Sequence, residues 1–130
     1  MSTRSTTHFF DGGKKLCCFY RQCDGYPSGL GLELAEFLDG LTMTNGISGE
    51  KGKTANGMGC LAAQVVAHLK DGVGGVYMQP SSRAPDEEYA YYIKGDTYKP
   101  GALTVEVLED GKRIFSGSVA RFLQFCKDEK

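Results

Sequence analysis

The sequence predicts an α+β fold, an antiparallel sheet of about five or six strands with two or three helices packed on it in two layers. Two observations lead to this prediction. Short runs of alternating apolar and polar residues flank Asp-Gly turns, as in β-hairpins. Other runs repeat apolar residues every three or four positions, as in helices that bury one face. Because strands joined by tight turns pair antiparallel, the helices must cover one face of the sheet.

The first part of the chain predicts a hairpin followed by a helix. Residues 3–10 and 15–22 are strand-like and flank the turn at Asp11-Gly12-Gly13. Ser28 is a predicted N-cap of the helix and Gly40 its C-terminal stop. The helix is indicated by apolar residues at helical spacing: Leu30, Leu34, Phe37, Leu38 and Leu41. Residues 42–57 have no periodic pattern, so we expect a long flexible loop there.

The second part predicts two further helices and four strands. Residues 58–69 carry an apolar helical stripe, 73–79 form a short strand, and 88–93 place Tyr89, Tyr91 and Ile93 on one strand face. The turn at Asp110-Gly111 joins two alternating runs, 103–107 and 113–115, in the clearest hairpin of the chain. Ser118 is a predicted N-cap for a last helix.

Composition limits the class of protein. A chain of 130 residues is one domain, 1–130, and can bury a core without disulfides. The net charge of −1 disfavours a nucleic-acid binder. No apolar run approaches the roughly 20 residues that span a bilayer, and we expect no secretion signal. The five cysteines form no disulfide framework, which favours reduced thiols in a cytoplasm.

Residues 46–54 are similar to a phosphate-binding P-loop at Gly52-Lys53-Thr54. The first glycine of that motif would fall on Ile47, and no predicted strand or directly following helix surrounds the segment. We therefore predict a flexible loop here rather than a nucleotide site.

The cysteines do not predict a metal site. Cys17 and Cys18 are adjacent on a strand and point to opposite faces, and no Cys-x-x-Cys or helical His pair is present. We predict no metal, no cofactor and no assigned catalytic residue. Cys23, beside Asp24 and ahead of a helix, is the one candidate nucleophile, with His8 or His68 as its base.

The segment 20–31 is the first place to look for a ligand. Its glycines let backbone approach a ligand, and a helix N-terminus presents free N–H groups to an anion. Arg21 or Arg4 would add positive charge, and Tyr26 could stack on a base. The predicted binding residues of this region are Arg4, Arg21, Asp24, Tyr26, Ser28 and Gly29.

A tyrosine-dense zone, with basic residues nearby, predicts a second recognition surface. Tyrosine is common at interfaces because it is large, stiff and amphipathic. The predicted binding residues here are Arg83, Tyr89, Tyr91 and Tyr92.

The N-terminal third resembles a family of small bacteriophage and prophage proteins. The resemblance covers residues 2–40 and lies in Thr3-Arg4-Ser5, in Tyr20-Arg21-x-x-Asp24-Gly25-Tyr26-Pro27-Ser28-Gly29-x-Gly31, and in Leu34-Ala35-Glu36-Phe37-Leu38. Members tend to have an aromatic residue before Asp-Gly, where this chain has Cys23. The resemblance implies a phage accessory protein acting in the host cytoplasm, and no chemistry transfers with it.

Three functions follow as hypotheses. The leading one is a non-enzymatic phage protein that binds and inhibits a host antiviral defence protein. The second is a sponge for a small anionic ligand such as a cyclic nucleotide, held at the loop from Asp24 to Gly31. The third is an enzyme that uses Cys23. A homodimer is compatible with all three.

Overall fold

The structure, a computed structural model, describes residues 2–46 and 52–129. A five-residue π-helical turn, Pro27–Gly31, leads into the first of three α-helices. The helices are α1 (Leu32–Leu38), α2 (Gly57–Leu69) and α3 (Val119–Asp128). The strands are β1 (Ser5–Asp11), β2 (Lys14–Arg21), β3 (Thr42–Thr44), β4 (Thr54–Asn56), β5 (Val76–Gln79), β6 (Tyr89–Gly95), β7 (Thr104–Glu109) and β8 (Lys112–Ser118).

The predicted α+β class is confirmed, with one difference in strand direction. Six strands form one sheet in the order β5-β2-β1-β6-β7-β8. All neighbours pair antiparallel except β1 and β6, which are parallel, so the sheet is mixed. Both predicted hairpins are present, β1 with β2 and β7 with β8. The parallel pair joins strands that are distant in sequence, and such a pairing has no local turn signal that a sequence pattern could reveal.

One face of the sheet, here called the inner face, carries the core. Alternate residues of the central strands point to this face and pack against α1, α2 and α3. The buried sheet residues include Phe9, Phe19, Tyr91, Ile93, Val105 and Val107, and the buried helix residues include Leu34, Leu61, Val65 and Phe122. The helices therefore lie in one layer on the inner face, as predicted.

The opposite, outer face is partly covered by residues 80–88, which we call the strap. The chain must cross β2 and β1 to pass from β5 to β6, and it does so on the outer face. There the Arg83 guanidinium lies 5.9 Å from the centre of the Tyr20 ring. The Lys15 ammonium donates to the Arg83 carbonyl at 2.7 Å. The strap explains why His8 and Cys18 are fully buried on a face that none of the helices in residues 2–46 and 52–129 covers.

Two predicted details of the first helix and its following loop need correction. Ser28 is not an N-cap, because Pro27 occupies the first helical position, which its fixed φ suits, and the helical turn starts before Ser28. Residues 42–57 are not all loop, since β3 and β4 pair in parallel, while 47–51 lie outside the described residues. By contrast, Gly40 follows α1 with a left-handed φ of 75°, and Ser118 caps α3 by accepting from Arg121 N, as predicted.

Lys53, the lysine of the P-loop-like segment, has a structural contact. Its ammonium donates to the carbonyl oxygens of Glu36 at 2.9 Å and of Asp39 at 2.6 Å. These carbonyls belong to the end of α1, where a helix leaves C=O groups without partners inside the helix. Lys53 therefore ties the C-terminus of α1 to the segment before β4. The stretch 47–51 of the P-loop-like segment lies outside the described residues.

Candidate functional site

The loop 24–31 is fastened to the sheet by its own backbone. Gly25 N donates to Thr3 O at 2.9 Å, and Leu30 N donates to Asp24 O at 2.8 Å. The buried Tyr91 hydroxyl donates to Gly25 O at 2.7 Å. Asp24 has a φ of 57°, a left-handed conformation that Asp tolerates better than most residues. Hydrogen bonds to Thr3 and to Tyr91 therefore hold the loop against the sheet.

This loop lines a shallow cleft of about 240 Å³ that gathers five predicted residues. The cleft residues are Arg21, Asp24, Tyr26, Ser28, Gly29, Leu32, Glu33 and Glu36. The Arg21 guanidinium forms an ion pair with Glu33, and its Nε donates to Cys23 O at 2.9 Å. Since three carboxylates and one guanidinium that is already paired line this cleft, the local charge opposes binding of an anion.

Four backbone N–H groups of the loop also have hydrogen-bond partners. Gly29 N donates to Tyr26 O at 2.9 Å, and Gly31 N donates to the same carbonyl at 3.4 Å. Together with the Gly25 and Leu30 bonds, these contacts use N–H groups that a phosphate would need. The geometry thus gives the anion hypothesis no support at this cleft.

The predicted tyrosine surface is divided between the two faces of a central strand. Tyr91 is fully buried on the inner face, so it belongs to the core and is not part of a binding surface. Tyr92 is half-buried on the outer face, where its ring packs edge-on against Phe10 at 5.2 Å. The prediction treated neighbouring tyrosines as one patch, whereas successive strand residues point to opposite faces.

Tyr89 is the first residue of β6 and lies beside a second cleft of about 430 Å³. Thr3, Tyr26, Ser28, Glu88 and Tyr89 line this cleft. Burial, together with the nearby Glu109, raises the pKa of Tyr89 to about 12, and its hydroxyl donates to Glu109 Oε2 at 3.2 Å. The phenol therefore stays protonated and acts as a hydrogen-bond donor at neutral pH.

The two remaining predicted arginines do not line these clefts. Arg83 belongs to the strap, where it pairs with Asp86 at 3.1 Å and Glu87 at 2.7 Å. The side chain of Arg4 is exposed, and its carbonyl accepts from Tyr89 N at 3.3 Å. The structure therefore does not assemble the ten predicted binding residues into one site.

The cysteines and histidines are dispersed. Among the residues that the structure describes, the exposed Cys23 thiol has one polar side-chain contact, the Ser2 hydroxyl at 3.5 Å. His8 is buried beneath the strap, and the His68 ring packs on Phe37 at 4.8 Å. Neither imidazole is positioned as a base for Cys23. Within residues 2–46 and 52–129, no group of three or more His, Cys, Asp or Glu residues could hold a metal ion.

An apolar groove of about 510 Å³ lies between α2 and the edge of the sheet, and we call it the α2–β5 groove. Its lining is apolar except for one lysine and consists of Cys17, Gly59, Ala62, Ala63, Val66, Ala67, Lys70 and Met78. Met78 is 57% exposed at the rim of the groove. Sequence reasoning missed this groove, although Gly59, Ala63 and Ala67 recur every four residues and so mark a small-residue face of α2.

The free edge of β5 beside the groove is partly closed. Because Gln22 N bonds to Gly75 O across the β2–β5 pair, Val76 and Met78 direct their backbone groups away from β2. Val76 N already donates to Gly74 O at 2.9 Å, and Val76 O accepts from the Lys70 ammonium at 3.0 Å. Lys70 thus protects this edge from pairing with another strand, a known role of lysine at sheet edges.

Comparison with protein-family models, curated proteins and solved structures finds no match to this chain. No helix in the described part of the chain has the length and apolar character needed to cross a membrane.

Proposed function

We propose that this chain is a non-enzymatic protein-binding protein and that its α2–β5 groove receives apolar side chains of the partner. The observation that supports this proposal is the groove itself, about 510 Å³ in volume, apolar and open to solvent. Exposed apolar patches of this kind mark interaction sites on folded proteins. Met78 at the rim suits this role, because methionine is flexible and enriched at the core of interfaces.

The groove favours a particular kind of partner segment. The small residues Gly59, Ala63 and Ala67 let another backbone approach α2 closely. At the β5 edge, the Val76 N–H and C=O that a partner strand would need are already bonded to Gly74 O and to Lys70. Recognition by side chains of a helix or compact turn is therefore favoured over strand addition. We expect the partner to present an amphipathic segment whose apolar face enters the groove.

The resemblance to phage accessory proteins extends this proposal to a biological role. On that basis the chain is phage-encoded, acts in the host cytoplasm, and inhibits a host antiviral defence protein by covering one of its surfaces. The two other hypotheses receive less support. The paired Arg21 and the four bonded N–H groups of the 24–31 loop disfavour a nucleotide sponge, and Cys23 lacks an adjacent imidazole in the described residues.

The test compares a groove variant with a matched variant elsewhere. Ala63→Glu places a charge in the groove, and Ala120→Glu places the same charge on the exposed side of α3. Each tagged protein is incubated with host lysate, and retained proteins are quantified by mass spectrometry. A photo-crosslinking amino acid at Met78 identifies what lies in the groove.

We expect one host protein to be retained by the original chain and by Ala120→Glu, to crosslink at position 78, and to be lost at least about tenfold with Ala63→Glu. Inhibition of that protein's defence activity by the purified chain tests the biological role. Retention that is unaffected by Ala63→Glu, or the absence of any retained protein, would overturn the proposal.

A further inference from the structure

The outer face of the sheet holds a buried imidazole that makes few polar contacts. His8 on β1 is fully buried, and its Nε2 lies 2.8 Å from the Thr6 hydroxyl and 3.9 Å from Cys18 Sγ. Its Nδ1 has no hydrogen-bond partner among the described residues. In either tautomer, Nδ1 therefore has no hydrogen bond within the part of the chain that the structure describes to replace the one that it makes to water in the unfolded chain.

Groups of three neighbouring elements act on this imidazole, either by contact or through their charge. From β2 come the Cys18 thiol and the ammonium of Lys15, and from β6 comes the edge of the Tyr92 ring, with its centroid at 5.4 Å. From the strap comes Arg83, whose charge is shared with Asp86 and Glu87. The positive charges of Lys15 and Arg83 both oppose protonation of the His8 imidazole.

We propose that the strap is a proton-operated cover, closed over the outer face while His8 is neutral and released when the imidazole is protonated. Protonation would place a cation without solvent beside two other cations and add a second N–H donor that needs an acceptor. Opening of the strap admits water to Nδ1 and moves Arg83 away. The buried thiol of Cys18 and the Tyr20 ring then become accessible.

The strap is the element best suited to move. Its sequence, Pro-Ser-Ser-Arg-Ala-Pro-Asp-Glu-Glu, is polar, and the residues of the hydrophobic core all come from other segments. Polar contacts attach it, among them Lys15 Nζ to Arg83 O and Arg83 to Gln79. Segments with few buried apolar contacts open at lower free energy than the core.

The size of the effect follows from the pKa of His8. Burial, and then the charges of Lys15 and Arg83, lower this pKa from 6.5 to about 4. A lowered histidine pKa means that the open form binds the proton more tightly, so opening is favoured as pH falls below 6.5. With 6.5 in the open form and about 4 in the closed form, the open population rises about twentyfold between pH 7 and pH 5.

The experiment follows the reactivity of two buried thiols. Cys18 lies under the strap, whereas the equally buried Cys126 belongs to α3, faces the core on the inner side of the sheet and reports global unfolding. The protein is treated with 4,4′-dithiodipyridine, which reacts with thiols at acidic pH, and tandem mass spectrometry distinguishes Cys18 from its neighbour Cys17. Each rate is divided by that of free cysteine at the same pH.

We expect the relative rate at Cys18 to rise about twentyfold from pH 7 to pH 5, while that at Cys126 stays constant. His8→Gln, which keeps an amide near the position of Nε2, removes the rise. Because that variant could fail to fold, NMR titration of the two histidines in the original chain provides a second test. The His8 midpoint should coincide with that of Cys18 exposure, with His68 as the reference.

Three results would overturn the proposal. Parallel exposure of Cys18 and Cys126 would show that acid unfolds the whole domain. An unchanged pH profile in folded His8→Gln, or separate midpoints for His8 titration and Cys18 exposure, would show that another group controls the strap.

Discussion

Thr97 connects the end of β1 to the start of α2, and its replacement by valine is the most informative stability test. Thr97 N donates to Asp11 Oδ1 at 2.8 Å, and its hydroxyl donates to Asp11 Oδ2 at 2.7 Å. The same hydroxyl accepts from Met58 N at 2.9 Å, in the first turn of α2. Asn56, at the usual N-cap position, instead uses its side-chain oxygen to accept from Gly46 N.

Thr97→Val keeps the shape of the side chain and removes both hydroxyl bonds. Loss of an N-cap contact costs about 1 kcal/mol. Loss of a hydrogen bond to a carboxylate costs about 1.5–3 kcal/mol. Because the two losses share one hydroxyl and are not additive, we expect the free energy of unfolding to fall by about 2–3 kcal/mol.

Urea denaturation followed by circular dichroism measures this change. The midpoint should decrease while the slope with denaturant stays the same, because the extent of the surface exposed on unfolding is unchanged. Thr97→Ser is the control, since it keeps the hydroxyl and loses one methyl group, at a cost of less than about 1.5 kcal/mol. A valine variant within about 0.5 kcal/mol of the original chain, or equal effects of valine and serine, would refute the role of this hydroxyl in capping α2.

Three further predictions concern the loop and the groove. Tyr91→Phe leaves Gly25 O without its donor and should lower the free energy of unfolding by about 1–2 kcal/mol, with faster amide exchange in the 24–31 loop; unchanged stability and exchange would contradict the contact. Gly29→Ala should destabilise by more than about 2 kcal/mol in the same urea assay, because its Cβ would lie 2.5 Å from Asp24 O, a backbone atom that cannot move aside easily. Gly59→Ala should instead stabilise by about 0.5–1 kcal/mol, since this helical glycine has open space around it and alanine favours the helix; destabilisation would show that α2 is already crowded there.

Several elements were predictable because their causes are local. The turns at Gly12-Gly13 and Asp110-Gly111 adopt left-handed φ values between 50° and 89°, which glycine and, less readily, aspartate adopt. The alternation along β6 correctly placed Tyr89, Tyr91 and Ile93 on one face, and Ser118 was recognisable as a cap. Each of these features depends on residues within a few positions of one another.

The candidate sites were less predictable because their properties depend on contacts between distant residues. Arg21 was predicted as an anion ligand, but in the folded chain α1 brings Glu33 into an ion pair with it. Tyr91 was predicted as a surface residue, but β6 lies between β1 and β7 in the sheet, and the Tyr91 ring packs against Phe122 of α3. The α2–β5 groove depends on the position of a helix relative to an edge strand. The apolar periodicity of α2 or of β5 does not predict that position.

Short-range patterns along the chain were enough to predict the class of fold, the two hairpins, the inward face of each helix and the approximate boundaries of most elements, because propensity, turn conformation and apolar period act over short distances. Only the folded structure shows the parallel pairing of β1 with β6, the passage of the strap over the outer face, the ion pair of Arg21 with Glu33 and the groove beside Met78. Those features arise where segments far apart in the chain meet, and there burial and opposing charge outweigh local preference.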